Sequence, residues 1–256
     1  MEIKELSKGI FAIDLALYLK KSKILVLADT HIGYEESLNK QGVLIPRFQF
    51  NEIGHKLEKI FSFLKEKNFE IEKVLINGDI KHEFGRISEQ EWRHTLQLID
   101  FLSKHANEII LIKGNHDTVL GPIAEKRNII VKEHAIIDNI LLIHGDSLPN
   151  KALEKELKGK KVSAVIIGHE HPAVSLGTMA RFEKYKCFLV GEWNKRMLIV
   201  QPSFNLVTEG TDIVKESLLS PFLKSNKKFA DFKVIVVGED LKFYDFGSIA
   251  KIRKMK

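Results

Sequence analysis

Apolar residues in this chain fall into short dense runs and longer spaced stripes. The runs Phe11 to Tyr18 and Lys23 to Ala28, parted by Lys20, Lys21 and Ser22, predict a pair of strands. From Arg47 to Glu66 the positions Phe50, Ile53, Leu57, Ile60, Phe61 and Leu64 recur at three and four. This predicts an amphipathic helix that starts after Pro46. Lys73 to Ile76 and Glu108 to Ile112 predict buried strands. Between them Ser88 and Glu91 match a capping box, ahead of a helix with Trp92, Leu96, Ile99 and Leu102 on one face. A short helix is expected after Pro122, then strands at Ile129 to Val131 and Ile140 to Ile143. A helix from Lys151 to Lys158 and a strand from Val162 to Ile167 follow.

Beyond Pro172 the texture changes. Cys187 to Val190 and Met197 to Val200 predict antiparallel strands joined around Glu192 to Asn194, and Gly210 to Lys224 is expected to be helical up to Pro221. Phe232 to Val237 and Leu241 to Phe246 predict a hairpin around Gly238, Glu239 and Asp240. With no low-complexity linker and no sustained repeat, one domain over residues 1–256 is the expectation, strand–helix alternation first and antiparallel strands later.

The chemistry sits where the apolar strands end. Asp29 and His31, then Asp79, then Asn115 and His116, then His144, then His169 and His171 each follow such a run. Gly114, just ahead of Asn115, His116 and Asp117, permits a turn that a residue with a Cβ would resist. Taken singly, each segment has a plainer reading as turn chemistry or as a satisfied core histidine. Taken together they point to one crevice, because the C-terminal ends of strands converge in α/β sheets. Neutral imidazoles with carboxylates suit two cations, one carboxylate bridging them. Cys187 is the single cysteine, so thiolate sites and intrachain disulfides are excluded, in keeping with a reducing cytoplasm. Nitrogen and oxygen donors suit Mn, Fe, Zn, Co or Ni.

Composition narrows this further. Hydrophobic content of 44% and charged content of 29% describe a soluble globular chain, and Asp14 interrupts the first apolar run, so neither a signal peptide nor a membrane span is expected. A net charge of +6 is compatible with a polyanionic partner. Lysines 151, 155, 158, 160 and 161, and the tail with Lys251, Arg253, Lys254 and Lys256, are better read as solvated faces than as specific nucleic-acid sites. There is no glycine-rich dinucleotide loop, no phosphate-binding Gly-x4-Gly-Lys loop and no Gly-x-Ser-x-Gly elbow.

Asp-x-His, Gly-Asp, Gly-Asn-His-Asp, a lone His and Gly-His-x-His, in this order between residues 29 and 171, resemble the calcineurin-like metallophosphoesterases. The resemblance implies an α/β fold, an αββα sandwich of two mixed sheets flanked by helices, and a dinuclear phosphoester hydrolase. It implies two divalent transition-metal ions, Mn first among the candidates. Asp29, His31 and His171 would bind one, Asn115, His144 and His169 the other, and Asp79 would bridge them. His82, in Gly78-Asp79-Ile80-Lys81-His82, is placed as in double-strand-break repair nucleases, although Lys81 stands where those have an aromatic residue. Gly168 to Val174 and Gln201 to Asn205 are closer to the compact phosphodiesterases associated with DNA ligases and helicases in bacteria, and to their archaeal relatives.

The expected activity is therefore phosphodiester hydrolysis, in DNA and in repair, by in-line attack of a metal-bridging hydroxide. His116 would protonate the leaving oxygen or orient the phosphate, Asp117 would position His116, and His82 would contact the phosphate from the other side. A DNA ligase or helicase is the expected protein partner. A small-nucleotide phosphodiesterase or phosphatase is the alternative, and a non-catalytic metal-containing scaffold that binds a protein stands third.

Overall fold

Successive residues of most strands face different apolar layers, which is why the runs lack a polar face. The computed structural model describes residues 1–85, 87–118, 120–127, 129–178 and 181–254; Lys256 of the basic tail lies outside them. β1 (Ile3–Ser7), β2 (Ile10–Ile13), β3 (Ala16–Leu19) and β4 (Ile24–Leu27) form an antiparallel meander. After α1 (Tyr34–Lys40) and α2 (Gln49–Glu66) the chain turns to parallel pairing. β5 (Lys73–Asn77), α3 (Glu89–Leu102), β6 (Glu108–Ile112), α4 (Gly121–Glu125) and β7 (Ile130–Lys132) complete a sheet whose order follows the sequence.

The second sheet is built from β8 (His134–Ile137), β9 (Ile140–Ile143), then after α5 (Lys151–Gly159) β10 (Ala164–Ile167), β11 (Pro172–Thr178), β12 (Arg181–Trp193) and β13 (Arg196–Val200). β14 (Thr211–Asp212) pairs with β11, and after α6 (Pro221–Lys224), β15 (Lys233–Val237) pairs with both β12 and β16 (Phe243–Ser248); α7 (Ile249–Lys254) ends the described chain. β9, β10 and β13 are mutually parallel, and the remaining pairs are mainly antiparallel.

Alternation assigns the layers. Leu142, Ile166, Phe188 and Ile199 join the cluster of the first sheet. Their neighbours Leu141, Ile143, Val165, Ile167, Leu198 and Val200 pack with Leu153 and Leu157 of α5, Phe222 of α6 and Ile249 of α7. On the far side, α2 contributes Ile53, Leu57, Ile60 and Leu64, and α3 Leu98, Ile99 and Leu102. The result is a mixed α/β fold of two mixed sheets flanked by helices, as expected. Among the described residues no helix is long and apolar enough to cross a membrane.

Several expectations change. Phe11 to Tyr18 is the core of a hairpin, because Asp14 takes φ 50° and its carboxylate is held by Lys56 at 2.6 Å. β1, β8 and β11, whose residues mix polar and apolar, were not anticipated. α2 begins at Gln49, where Glu35 from α1 accepts from the amides of Phe48 and Gln49 at 2.9 and 3.0 Å and caps it from a distance.

Gly210 to Pro221 is not a helix. Asp212 accepts from the amides of Ser175, Val214 and Lys215, so its side chain competes with helical bonding, and only Pro221–Lys224 is helical after the Ser220 cap. Glu170 ties this segment down through the amides of Leu219 and Ser220, at 2.9 and 2.7 Å.

The buried side chain of Gln201, just past β13, donates to the carbonyls of Leu15 and Val26 at 3.0 and 2.9 Å, joining the two sheets. Replacing Gln201 by Leu leaves those carbonyls without that donor. Urea unfolding is expected to show a loss of about 1–3 kcal/mol; an unchanged midpoint would mean that this cross-sheet pair contributes nothing.

Candidate metal centre

Parallel strands in each sheet carry their C-terminal ends to one edge, and the packing of the sheets brings those edges together. Asp29 and His31 follow β4, Asp79 and His82 follow β5, and Asn115 and His116 follow β6. His144 follows β9, and His169 and His171 follow β10. The loops bind one another directly. The amides of Asp29 and His31 donate to the carbonyls of Gly78 and Asp79 at 3.1 and 2.9 Å. The amide of His169 donates to Asp29 Oδ2 at 3.0 Å, and that of His116 to Asp79 Oδ1 at 2.8 Å.

The backbone is strained where the candidate ligand atoms leave it. Asp29, His31, Asp79, His169 and His171 have φ of 53°, 43°, 47°, 61° and 49°, the left-handed region that side chains with a Cβ avoid. Such conformations persist where surrounding bonds over-determine them. Here the interloop hydrogen bonds do so.

Three groups of donor atoms result among the described residues; one is His31, His82 and His116, and the other two hold residues expected as metal ligands. Within Asp29, His31 and His171, and within Asp79, His144 and His169, the candidate ligand atoms all lie within 4.8 Å of one another. Asp79 Oδ2 is 3.6 Å from His31 Nε2 and 3.3 Å from His144 Nε2, so one carboxylate oxygen reaches both groups. Asn115 Oδ1 lies 2.9 Å from His144 Nε2. All the residues named as metal ligands are thus brought together.

Divalent cations fit these residues. His31 Nε2 faces His171 Nε2 at 3.3 Å, and His169 Nδ1 faces His144 Nε2 at 3.2 Å. Burial holds His31 well below its ordinary pKa and pushes His169 down to about 4, so neutral rings present lone pairs there. Asp29 Oδ1 is buried with no hydrogen-bond partner. Burial opposes charge on His144, but Asp79 and Asp29 outweigh it and push the ring up to about 9. Asp79 is correspondingly held well below the usual carboxylate range against its own burial, chiefly by His144 and then His31. The carboxylates demand positive charge, which a bound cation would supply in place of a proton.

Glycines leave the space. A Cβ on Gly78, which has φ 87°, would run into the His144 ring. Gly114 was expected to serve a strained turn, but it is not among the positive-φ glycines; its role is to let Asp79 approach, since a Cβ there would meet that carboxylate and its backbone.

The arrangement around His116 also differs from expectation. Asp117 Oδ2 accepts from the amide of Gly114 at 3.0 Å, closing its own loop, and burial pushes its carboxyl up to about 7. It does not orient His116: the Nδ1 of that ring meets the carbonyl of His82. The His82 ring is half-buried, with Nδ1 3.4 Å from His31 Nδ1, and burial lowers it to about 4.

Two residues escaped sequence reasoning. Lys81 is fully buried, and its ammonium donates to the carbonyl of His116 at 2.6 Å and to that of Glu83. Glu91 accepts from the amides of His82 and Glu83, both at 2.8 Å. Of the expected capping box only the Ser88 half forms, with Ser88 Oγ accepting from the Glu91 amide at 3.1 Å. A lysine in a loop and a glutamate in a first helical turn ordinarily signal solvent, so no pattern marked either as an anchor. Beside Asn115 and His144 opens a cleft of about 790 Å³, lined by Lys113, Glu133, His134, Asp146, Asn150 and Glu156 among others.

The family model for calcineurin-like phosphoesterases matches residues 22–173. The chain belongs to that family. It is a phosphoester hydrolase, in a family that uses divalent metals. Among solved structures, the nuclease MPE of Pseudomonas putida is 20% identical, with a TM-score of 0.63 over 96% of this chain and 99% of that one. An archaeal phosphodiesterase is 16% identical, with a TM-score of 0.38 over 88% and 98%. The Vacuolar Protein Sorting 29 of Cryptosporidium parvum is 14% identical, with a TM-score of 0.39 over 88% and 97%. The likeness to the nuclease is one of fold. No curated protein matches the chain.

Because a Cβ at position 78 overlaps the His144 ring, Gly78→Ala is expected to weaken metal binding about 10–100-fold, the scale for residues that orient ligands. Metal titration followed by elemental analysis checks this, with circular dichroism to confirm folding. Unchanged affinity would show that the cradle yields.

Proposed function

We propose that this calcineurin-like phosphoesterase is a two-metal phosphodiesterase that cleaves DNA in repair. The observation that carries the two-metal reading is the single Asp79 oxygen reaching His31 and His144 at 3.6 and 3.3 Å. Asp29, His31 and His171 would hold one ion, Asn115, His144 and His169 the other, and Asp79 both. The donors are nitrogen and oxygen without sulfur, and Mn is the proposed metal. When bound, such a pair lowers the pKa of water and neutralises phosphate oxygens.

The protein's own contribution is a positioned acid. The carbonyl of His82 fixes the proton of His116 on Nδ1 and leaves Nε2 for the substrate. When the ring is cationic, Nε2–H can protonate the departing alkoxide. Asp79 Oδ1 accepts from the His116 amide, so the carboxylate that would join the ions also sets the acid beside them. His82, next to both His31 and His116, is the proposed second contact to the phosphate.

DNA as the polyanion rests on the motif resemblance and on the +6 charge, with the fold shared with a nuclease in support. The cleft beside Asn115 and His144 supports a second reading. Its volume of about 790 Å³ lies within the range of small-ligand pockets, and its lining mixes Lys113 and His134 with Glu133, Asp146 and Glu156. The size would suit a small nucleotide, with Lys113 and His134 already paired to Glu133 and Glu156 at 3.6 and 3.2 Å.

Hydrolysis of bis-p-nitrophenyl phosphate beside labelled single- and double-stranded DNA, with Mn added and then chelated, separates the readings. Cleavage of both substrate types supports the nuclease, and cleavage of the small diester alone moves the assignment to small nucleotides. In His116→Ala, turnover of DNA is expected to fall by about 10²–10⁴-fold with metal retained. Full turnover in a metal-replete sample would remove the acid role. Asp79→Ala is expected to lose both ions by elemental analysis, and full occupancy would refute the bridge.

A further inference from the structure

Phe84 stands out from the buried apparatus around it. It follows Lys81, His82 and Glu83 on a loop whose backbone is pinned at several points. Glu91 holds the amides of His82 and Glu83, Lys81 holds the carbonyl of Glu83, and Thr118 donates to the carbonyl of Phe84 itself. A loop so fixed nevertheless leaves a large aromatic side chain 55% exposed. One side of that ring lies on His116, with centroids 3.7 Å apart and planes tilted by 32°. His116 in turn is 4.8 Å from the His31 ring. The order from the donor groups outward is therefore His31, His116, Phe84.

Building on the nuclease reading, we infer that Phe84 is a stacking platform for the nucleobase on the leaving-group side of the scissile phosphate. His116 is the group proposed to protonate the leaving oxygen, so the departing nucleoside must lie next to it. The exposed aromatic surface next to His116 is Phe84, one ring further out and within the reach of a single nucleotide. Aromatic faces accept any base, because every base has a π-face, and stacking of this kind carries binding without sequence readout. The nearby carboxylate of Glu83 is paired with Lys40 at 3.4 Å, which reduces its repulsion of a polyanion. A base inside a duplex has both faces covered by its neighbours, so stacking on Phe84 requires an unpaired or terminal nucleotide at the cleavage step: a single strand, a frayed end or a flap.

The test uses the Mn-loaded full-length protein as wild type, Phe84→Ala and Phe84→Trp. Each is assayed on single-stranded oligonucleotides with one cleavable diester among methylphosphonate linkages. One substrate carries bases on both sides of that diester, and two carry an abasic residue on one side or the other. Phe84→Ala is expected to lower kcat/KM on the fully based substrate about tenfold, mostly through KM, with Phe84→Trp restoring it. One of the two abasic substrates should show the same loss with wild type and no further loss with Phe84→Ala. Equal loss on all three substrates would mean that the ring only supports His116, which overturns the inference and leaves the nuclease reading standing. A wild type that hydrolyses bis-p-nitrophenyl phosphate but no oligonucleotide would remove the nuclease reading and this inference with it.

Discussion

Asp79 sits almost fully buried, and a buried carboxylate stands only if opposite charge or hydrogen-bond donors stand with it. It has both. Its Oδ1 takes the His116 amide and its Oδ2 lies between His31 and His144. Because those partners come from β4, β6 and β9, this one side chain links loops from both sheets. The loops that carry donors are then held by each other, and the positive φ angles at Asp29, His31, Asp79, His169 and His171 become tolerable. Bound cations would complete the balance that the carboxylates require.

Around this centre lies a layer of buried polar side chains whose bonds run to backbone. Glu91 grips the His82 loop, Lys81 the His116 loop, and Glu170 the segment that leads into α6. Gln49 donates to the carbonyls of Thr30 and His31 and to Asn205. Glu91 reaches back eight and nine residues, while the others link a strand end to an element more distant in sequence. Loops are normally the mobile part of an α/β protein; these are fastened at their amides and carbonyls, which holds the reactive side chains in place before substrate arrives. The organisation also explains why a small residue matters at Gly78 and Gly114, where loop backbone meets the His144 and Asp79 side chains without room for a methyl group.

Much of this was legible from residue order. Strands with continuous apolar runs, such as Glu108–Ile112 and Ile140–Ile143, appear with the bounds that the pattern predicts, because burial on both faces leaves a dense signal. Edge and hairpin elements were less legible. β1 is half-buried and polar, and Gly210 to Pro221 carries helical spacing that Asp212 overrides by bonding to three amides. That these residues gather in one place was legible because they end strands, and strand ends converge.

The sequence by itself determined which atoms could bind metal and which family the chain belongs to, since both depend on residue type and order. Only the tertiary structure decided that Asp79 reaches both donor groups, that His82 and not Asp117 holds His116, and that Lys81 and Glu91 are anchors. The physical reason is that these are distances between folded loops, most of them far apart in the chain, and residue spacing does not encode them. A hydrogen bond from a side chain to distant backbone leaves no periodicity behind it. The same holds for Phe84, whose place on His116 comes from the folding together of the loops after β5 and β6.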